Sequence, residues 1–177
     1  GLMGLHLLDG MFEALETQGI KYSVYDGVQP NPTIDNIEEA RRIYLRNNCK
    51  GIIAFGGGSP MDCAKAAGAR VTNPNQQVVD MRGQLKIRHA LPPFFAVPTT
   101  SGTGSETTLA AVVSNPKTHE KNAINDPKLR PKYAVLDPEL TLGLPPHITS
   151  TTGMDALTHA VEAYIGRSNT KTTEKYA

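Results

Sequence analysis

Cysteine is scarce in this chain: Cys49 and Cys63 are the only two in 177 residues. They form neither a CxxC pair nor a zinc-ligand spacing. Small buried or half-buried thiols in a reducing compartment are expected, which makes the cytoplasm the expected location. Charge of one sign is lacking too, since the formal net charge is +1. Without a basic stripe, nucleic acid is not an expected partner. No apolar run approaches the ~20 residues needed to cross a bilayer, so no membrane partner is expected either. The opening Gly1-Leu2-Met3-Gly4-Leu5-His6-Leu7-Leu8 has no basic leader, and Asp9 interrupts it before any small-residue cleavage site. That argues against a secretory signal.

What is present is enough chain for one domain with a core, or one domain and part of another. Leu5, Leu8, Met11, Phe12 and Leu15 recur at helical spacing, so the chain is expected to open inside a helix, which implies missing N-terminal sequence. Gly19 ends that helix, and residues 20–25 read as a strand closed by Asp26-Gly27 and the rigid Pro30-Asn31-Pro32. Thr33 caps a helix reaching about Asn47, with Ile37, Ala40, Ile43 and Tyr44 on one side. Residues 51–55 form a short apolar run, expected as a strand buried on both faces. Gly56-Gly57-Gly58-Ser59 follows, with Pro60 in the first turn of a helix running to about Arg70.

Residues 72–89 are polar and expected to be irregular. Residues 94–97 read as a second buried strand, and Pro98-Thr99-Thr100-Ser101-Gly102-Thr103-Gly104-Ser105 as a second small-residue loop. Residues 109–113 and 121–124 suit a hairpin, and residues 133–136 a further strand. Strands alternating with helices predict an α/β fold with a mainly parallel sheet and helices on both faces. Gly143-Leu144-Pro145-Pro146 is the expected boundary between domains at 1–144 and 145–177, the second wholly helical.

Two features carry chemistry. Gly56-Gly57-Gly58-Ser59 joins a strand to a helix start, where glycines admit close approach and the helix N-terminus favours a pyrophosphate. It is equally readable as a tight turn with Ser59 as N-cap, and it is not the GxGxxG fingerprint. The second loop adds the hydroxyls of Thr99, Thr100, Ser101, Thr103 and Ser105. Both loops should leave the carboxyl edge of the sheet, where open α/β folds bind ligands, so a dinucleotide fits them jointly. Asp62, in the next helix's first turn, serves either the helix dipole or a polar contact near the cofactor. Farther on, Asp155 and His159 lie one turn apart in Gly153-Met154-Asp155-Ala156-Leu157-Thr158-His159. On one helical face they are two ligands for Zn²⁺ or Fe²⁺, or else a capping acid and an exposed histidine. His6, His89, His119 and His147 supply no evident further ligand.

Together these motifs resemble the iron-containing, group III alcohol dehydrogenases. The matches span nearly the whole chain in the family's order: Asp26-Gly27-Val28 with Pro30-Asn31-Pro32-Thr33; Gly56-Gly57-Gly58-Ser59-Pro60 with Asp62 and Lys65; Pro98-Thr99-Thr100-Ser101-Gly102-Thr103 with Glu106; and residues 153–164. The resemblance implies a Rossmann-like dinucleotide-binding domain lacking its first strand, followed by the start of an all-helical domain. It implies NAD or NADP and a divalent metal, Fe²⁺ or Zn²⁺, in the cleft between them. By position, Gly57, Gly58 and Ser59 match the pyrophosphate loop. Asp62, Thr99, Thr100 and Thr103 match contacts around the pyrophosphate and nicotinamide, and Lys121, otherwise a solvated loop lysine, matches a cofactor lysine. Asp155 and His159 match the first two of four metal ligands, the other two lying beyond Ala177. Ser101 stands where alanine is more usual. The implied reaction is hydride transfer between NAD(P) and a small primary alcohol or diol and its aldehyde, resembling 1,3-propanediol and lactaldehyde/propanediol dehydrogenases. A glycerol-type polyol dehydrogenase, a dehydroquinate-synthase-like cyclase and a non-catalytic nucleotide-binding module are the alternatives. The chain is thus expected to be a middle fragment of an enzyme, inactive alone, with a homo-oligomeric parent left open.

Overall fold

The computed structural model describes residues 2–116, 118 and 120–177. The opening apolar stretch is not one continuous helix. A 3-10 turn at Leu2–Leu5 is separated from helix α1, Asp9–Thr17. The break lies at His6, whose φ of 56° is left-handed and cannot be continued by a right-handed helix. His6 Nδ1 instead meets Asp9 Oδ2 at 2.9 Å.

Residues 20–25, expected as a strand, form none. A strand exists through its ladder, and among the described residues nothing pairs with this segment. Ile20, Tyr22 and Val24 remain exposed. Tyr22 stacks on Phe12 at 4.8 Å and donates to Glu16 Oε1 at 2.7 Å.

Helix α2, Ile34–Arg46, starts where its sequence dictates. Thr33 Oγ1 accepts from the Asn36 N–H at 3.3 Å, and Asn36 Oδ1 accepts from the Thr33 N–H at 3.1 Å. The reciprocal pair satisfies two helix-end groups at once.

Strand β1, Ile52–Gly56, leads into α3, Gly58–Thr72. The stretch expected to be irregular contains a 3-10 turn, Val78–Met81, and the two-residue strand β2, Gly83–Gln84. Arg70 and Asn73 order it: Arg70 Nη1 donates to the carbonyls of Asn73, Pro74 and Gln76, and Asn73 Oδ1 accepts from the Arg88 and His89 N–H groups. Strands β3, Phe94–Pro98; β4, Ala110–Ser114; β5, Lys121–Asn125; and β6, Tyr133–Ala134, follow.

Two three-stranded sheets result. One is wholly parallel, ordered β1-β3-β6; the other is ordered β2-β5-β4, with β4 and β5 the expected antiparallel hairpin. Helix α3 packs between them. Its alanines and Gly68 allow close approach, since a Cβ on Gly68 would meet Ile52 Cδ1 and Leu91 Cγ at 3.1 Å. The larger core joins Ile37, Cys63, Ala66, Met81, Val113, Ile124 and Leu129; the smaller joins Ala54, Met61, Phe94 and Ala96.

The parallel sheet is not buried on both faces. Helix α3 covers one. On the other, Ile53, Phe95 and Tyr133 lie in register across the three strands at 41%, 38% and 46% exposure. The apolar runs anticipate a cover that no element among the described residues completes. After the sheets come helices only: a 3-10 turn at Pro138–Thr141, α4 at Pro146–Ile165 and α5 at Lys171–Tyr176. No helix among the described residues is long and apolar enough to cross a membrane.

Candidate functional site

The site begins where β1 and β3 end together. Gly56 pairs with Pro98, and the Thr99 N–H donates to the Gly56 carbonyl at 3.0 Å. Both small-residue loops therefore leave the carboxyl edge side by side, where ligands of parallel sheets bind.

Ser59 is not the N-cap of α3. Gly57 holds that position without a side-chain cap, and Gly58, Ser59 and Pro60 form the first turn. The Gly58 and Ser59 N–H groups head the helix, and helices leave such groups without internal partners. Ser59 Oγ instead accepts from the Asn31 N–H at 3.2 Å, which draws in a third loop.

The first two loops nearly touch. A Cβ on Gly57 would lie 3.1 Å from Thr100 Cγ2, and one on Gly58 would lie 3.5 Å from Thr103 Cγ2. Thr99 is buried beside them. Thr100 Oγ1 is buried with no protein hydrogen-bond partner. A hydroxyl without a protein partner beside a helix start that has no side-chain cap fits an anionic phosphate.

Asp62 is engaged from within. Its Oδ1 accepts from Ser105 Oγ at 2.8 Å, and its Oδ2 accepts from the Val112 N–H at 2.9 Å. Burial raises its pKa above the ordinary carboxylate value, against the lowering effect of these bonds and of Lys65. The carboxylate thus ties α3 to the second loop and to β4. Lys121 opens β5, exposed, opposite Ser114. The Ser114 N–H donates to the Pro32 carbonyl at 2.8 Å, so the hairpin end adjoins the loop that reaches Ser59.

The second loop also meets the helical segment. Gly102 has φ 147°, and a Cβ there would collide with the Thr152 carbonyl of α4. Only glycine permits that backbone approach. One and two turns beyond Thr152 come Asp155 and His159; His159 Nε2 lies 3.7 Å from Asp155 Oδ1, both side chains about half exposed at 56% and 47%. Gly102 and His159 border the same cavity of about 480 Å³. Oxygen and imidazole nitrogen at that spacing suit two ligands of a divalent cation. Among the described residues, no group of three or more His, Cys, Asp and Glu gathers to hold a metal. His89 lies in a loop and His147 at the start of α4, while His119 is outside the described residues.

The sequence reading did not foresee the Gly102–Thr152 contact, the Asn31–Ser59 bond or the surroundings of Lys65. For Lys65 a local signal exists: three residues after Asp62, it projects from the same side of α3. Cys63 is buried, and burial pushes its thiol up to about 12, which leaves it unreactive at neutral pH.

The family model described as iron-containing alcohol dehydrogenase matches residues 1–138. Alcohol dehydrogenase 4 of Schizosaccharomyces pombe is 41% identical over 177 residues, covering 100% of this chain and 42% of that protein. A solved 1,3-propanediol oxidoreductase superposes with a TM-score of 0.91 at 38% identity, covering 95% of this chain and 44% of that one. A sulfoacetaldehyde reductase from Bifidobacterium kashiwanohense, solved in complex with NAD⁺, gives a TM-score of 0.76 at 35% identity, covering 90% and 43%. The chain spans less than half the length of each of these relatives.

Proposed function

Because the chain belongs to the iron-containing alcohol dehydrogenase family, we propose that its protein moves a hydride between NAD(P) and a small primary alcohol or diol, forming the aldehyde. The observation that carries this reading is the contact of Gly102 with Thr152. It brings α4 against the loop whose threonines face Gly57 and Gly58, with His159 lining the same cavity as Gly102.

In this reading residues 1–144 form the dinucleotide-binding domain and residues 145–177 begin the helical one. Gly57, Gly58 and Ser59 receive the pyrophosphate, because the head of α3 has no side-chain cap and its two glycines allow close approach. Thr100 Oγ1 donates to a phosphate oxygen, which gives that buried hydroxyl its partner. Thr99 and Thr103 shape the wall toward the nicotinamide. Lys121 adds positive charge from the hairpin, and Asp62 holds the second loop in place. Asp155 and His159 would hold iron, completed by ligands outside this chain. When bound, the cation polarises an alcohol oxygen as a Lewis acid. The protein's own part is to fix alcohol carbon and nicotinamide at reacting distance and keep water out.

The test uses the protein at its full natural length. Replacing His159→Ala is expected to lower iron content and alcohol-dependent NAD⁺ reduction together. Normal iron occupancy in that variant contradicts the reading.

A further inference from the structure

Lys65 is the largest side chain wholly removed from solvent, and nothing in the proposed chemistry uses it. Its ammonium is ringed by four oxygens: Ser105 Oγ at 3.1 Å, Thr108 Oγ1 at 3.0 Å, the Thr108 carbonyl at 3.1 Å and the Ala110 carbonyl at 2.9 Å. All four lie on the stretch that carries the second loop into β4. Carbonyls only accept, and the Ser105 hydroxyl already donates to Asp62 Oδ1 at 2.8 Å, so Lys65 is the donor, its three N–H bonds shared among the four oxygens. With the Asp62–Val112 bond, the start of α3 grips this stretch at residues 105, 108, 110 and 112. Gly58 stands one turn before Asp62 and two before Lys65 on the same helix, and faces Thr103 across the cleft.

We propose that Lys65 is a positioning residue for the dinucleotide. By pinning residues 105–110 to α3, it sets the gap between the Thr100 and Thr103 side chains and the glycine loop. The inference rests on the proposed NAD(P) reading. A buried cation with four acceptors fixes direction as well as distance, which apolar packing does not. Burial pushes the Lys65 pKa down to about 8, against the opposing pull of Asp62 and Glu106. The lysine is therefore held there at an electrostatic cost that a side chain serving only to fill space would not incur.

The experiment measures NAD⁺ affinity by calorimetry, and unfolding midpoint by urea, on the protein at full natural length. Lys65→Met keeps the volume and removes the donors. Ser105→Ala removes one acceptor and the link to Asp62. Met81→Ala serves as a control that loosens the larger core at a residue outside both loops. The expected result is a rise in Kd of about tenfold or more for Lys65→Met and a smaller rise for Ser105→Ala, while Met81→Ala loses stability with Kd held within about twofold. Unchanged affinity in Lys65→Met overturns the proposal, and so does an equal rise in Met81→Ala. If Lys65→Met does not fold, unchanged affinity in Ser105→Ala overturns it. Failure of the unaltered protein to bind either NAD⁺ or NADP⁺ removes the underlying reading instead, and this inference with it.

Discussion

Lys65 and Cys63 show how burial, as the largest cause, resets ordinary side chains. With its pKa near 8 against an ordinary 10.5, folded Lys65 releases its proton first as pH rises. Below about 8 both folded and unfolded states carry the proton, and the burial cost is in full force. Between about 8 and 10.5 the unfolded chain still binds a proton that the folded one has lost, so this group adds stability as pH climbs through that window. Urea unfolding of the protein and of Lys65→Met, compared across that range, is predicted to show the protein gaining relative to the variant. A fall in the protein's stability relative to the variant with rising pH contradicts this. The thiols give a second check. At neutral pH an alkylating reagent is expected to label half-buried Cys49 in the native state and to spare Cys63, whose pKa stands at about 12. Equal labelling of both under native conditions would show that Cys63 is not held as described.

Helix starts and loop crossings carry the predictions at the scale of elements. Removing the reciprocal cap of α2 with Thr33→Ala is expected to cost about 1 kcal/mol, read as a lower urea midpoint without change in cofactor affinity. Gly102→Ala is expected to do the reverse of a cap mutation: its Cβ meets the Thr152 carbonyl, so α4 must shift and the proposed metal binding is expected to weaken. Equal iron content in Gly102→Ala shows that α4 does not depend on that approach. The cap of α2, the β4–β5 hairpin and the two loops at one sheet edge were legible in the sequence because a few adjacent residues determine each. The break at His6, the unpaired residues 20–25 and the half-covered sheet were not. Each depends on what lies beside the segment, and local pattern does not report neighbours. The same holds for Lys65, whose four acceptors lie 40 or more positions away. Asp155 and His159 were legible as a pair on one helical face, but not the loop against which α4 sets them.

At the scale of the whole molecule, exposed apolar residues lie around the proposed cofactor cleft. Ile53, Phe95 and Tyr133 lie exposed on one sheet face, and Met154, Leu157, Val161 and Ile165 on α4. A cavity of about 710 Å³ separates Tyr22, Val24 and Tyr25 from β1. Asp155 and His159 are the two donors proposed for the metal, where a catalytic zinc-type site takes about three or more from protein. Residues 1–177 expressed alone are therefore expected to give no alcohol-dependent NAD⁺ reduction with added Fe²⁺, and robust turnover would show that the donors are misassigned. The central claim is that the glycine loop at the head of α3 receives the dinucleotide. Gly58→Val tests it most directly, because a Cβ at Gly58 makes only ordinary contact with Thr103 at 3.5 Å, so the added bulk falls in the cleft. Calorimetric titration of NAD⁺ into that variant, at full natural length and with iron content measured alongside, is predicted to show affinity lowered by about tenfold or more with iron retained. Unchanged affinity contradicts the account.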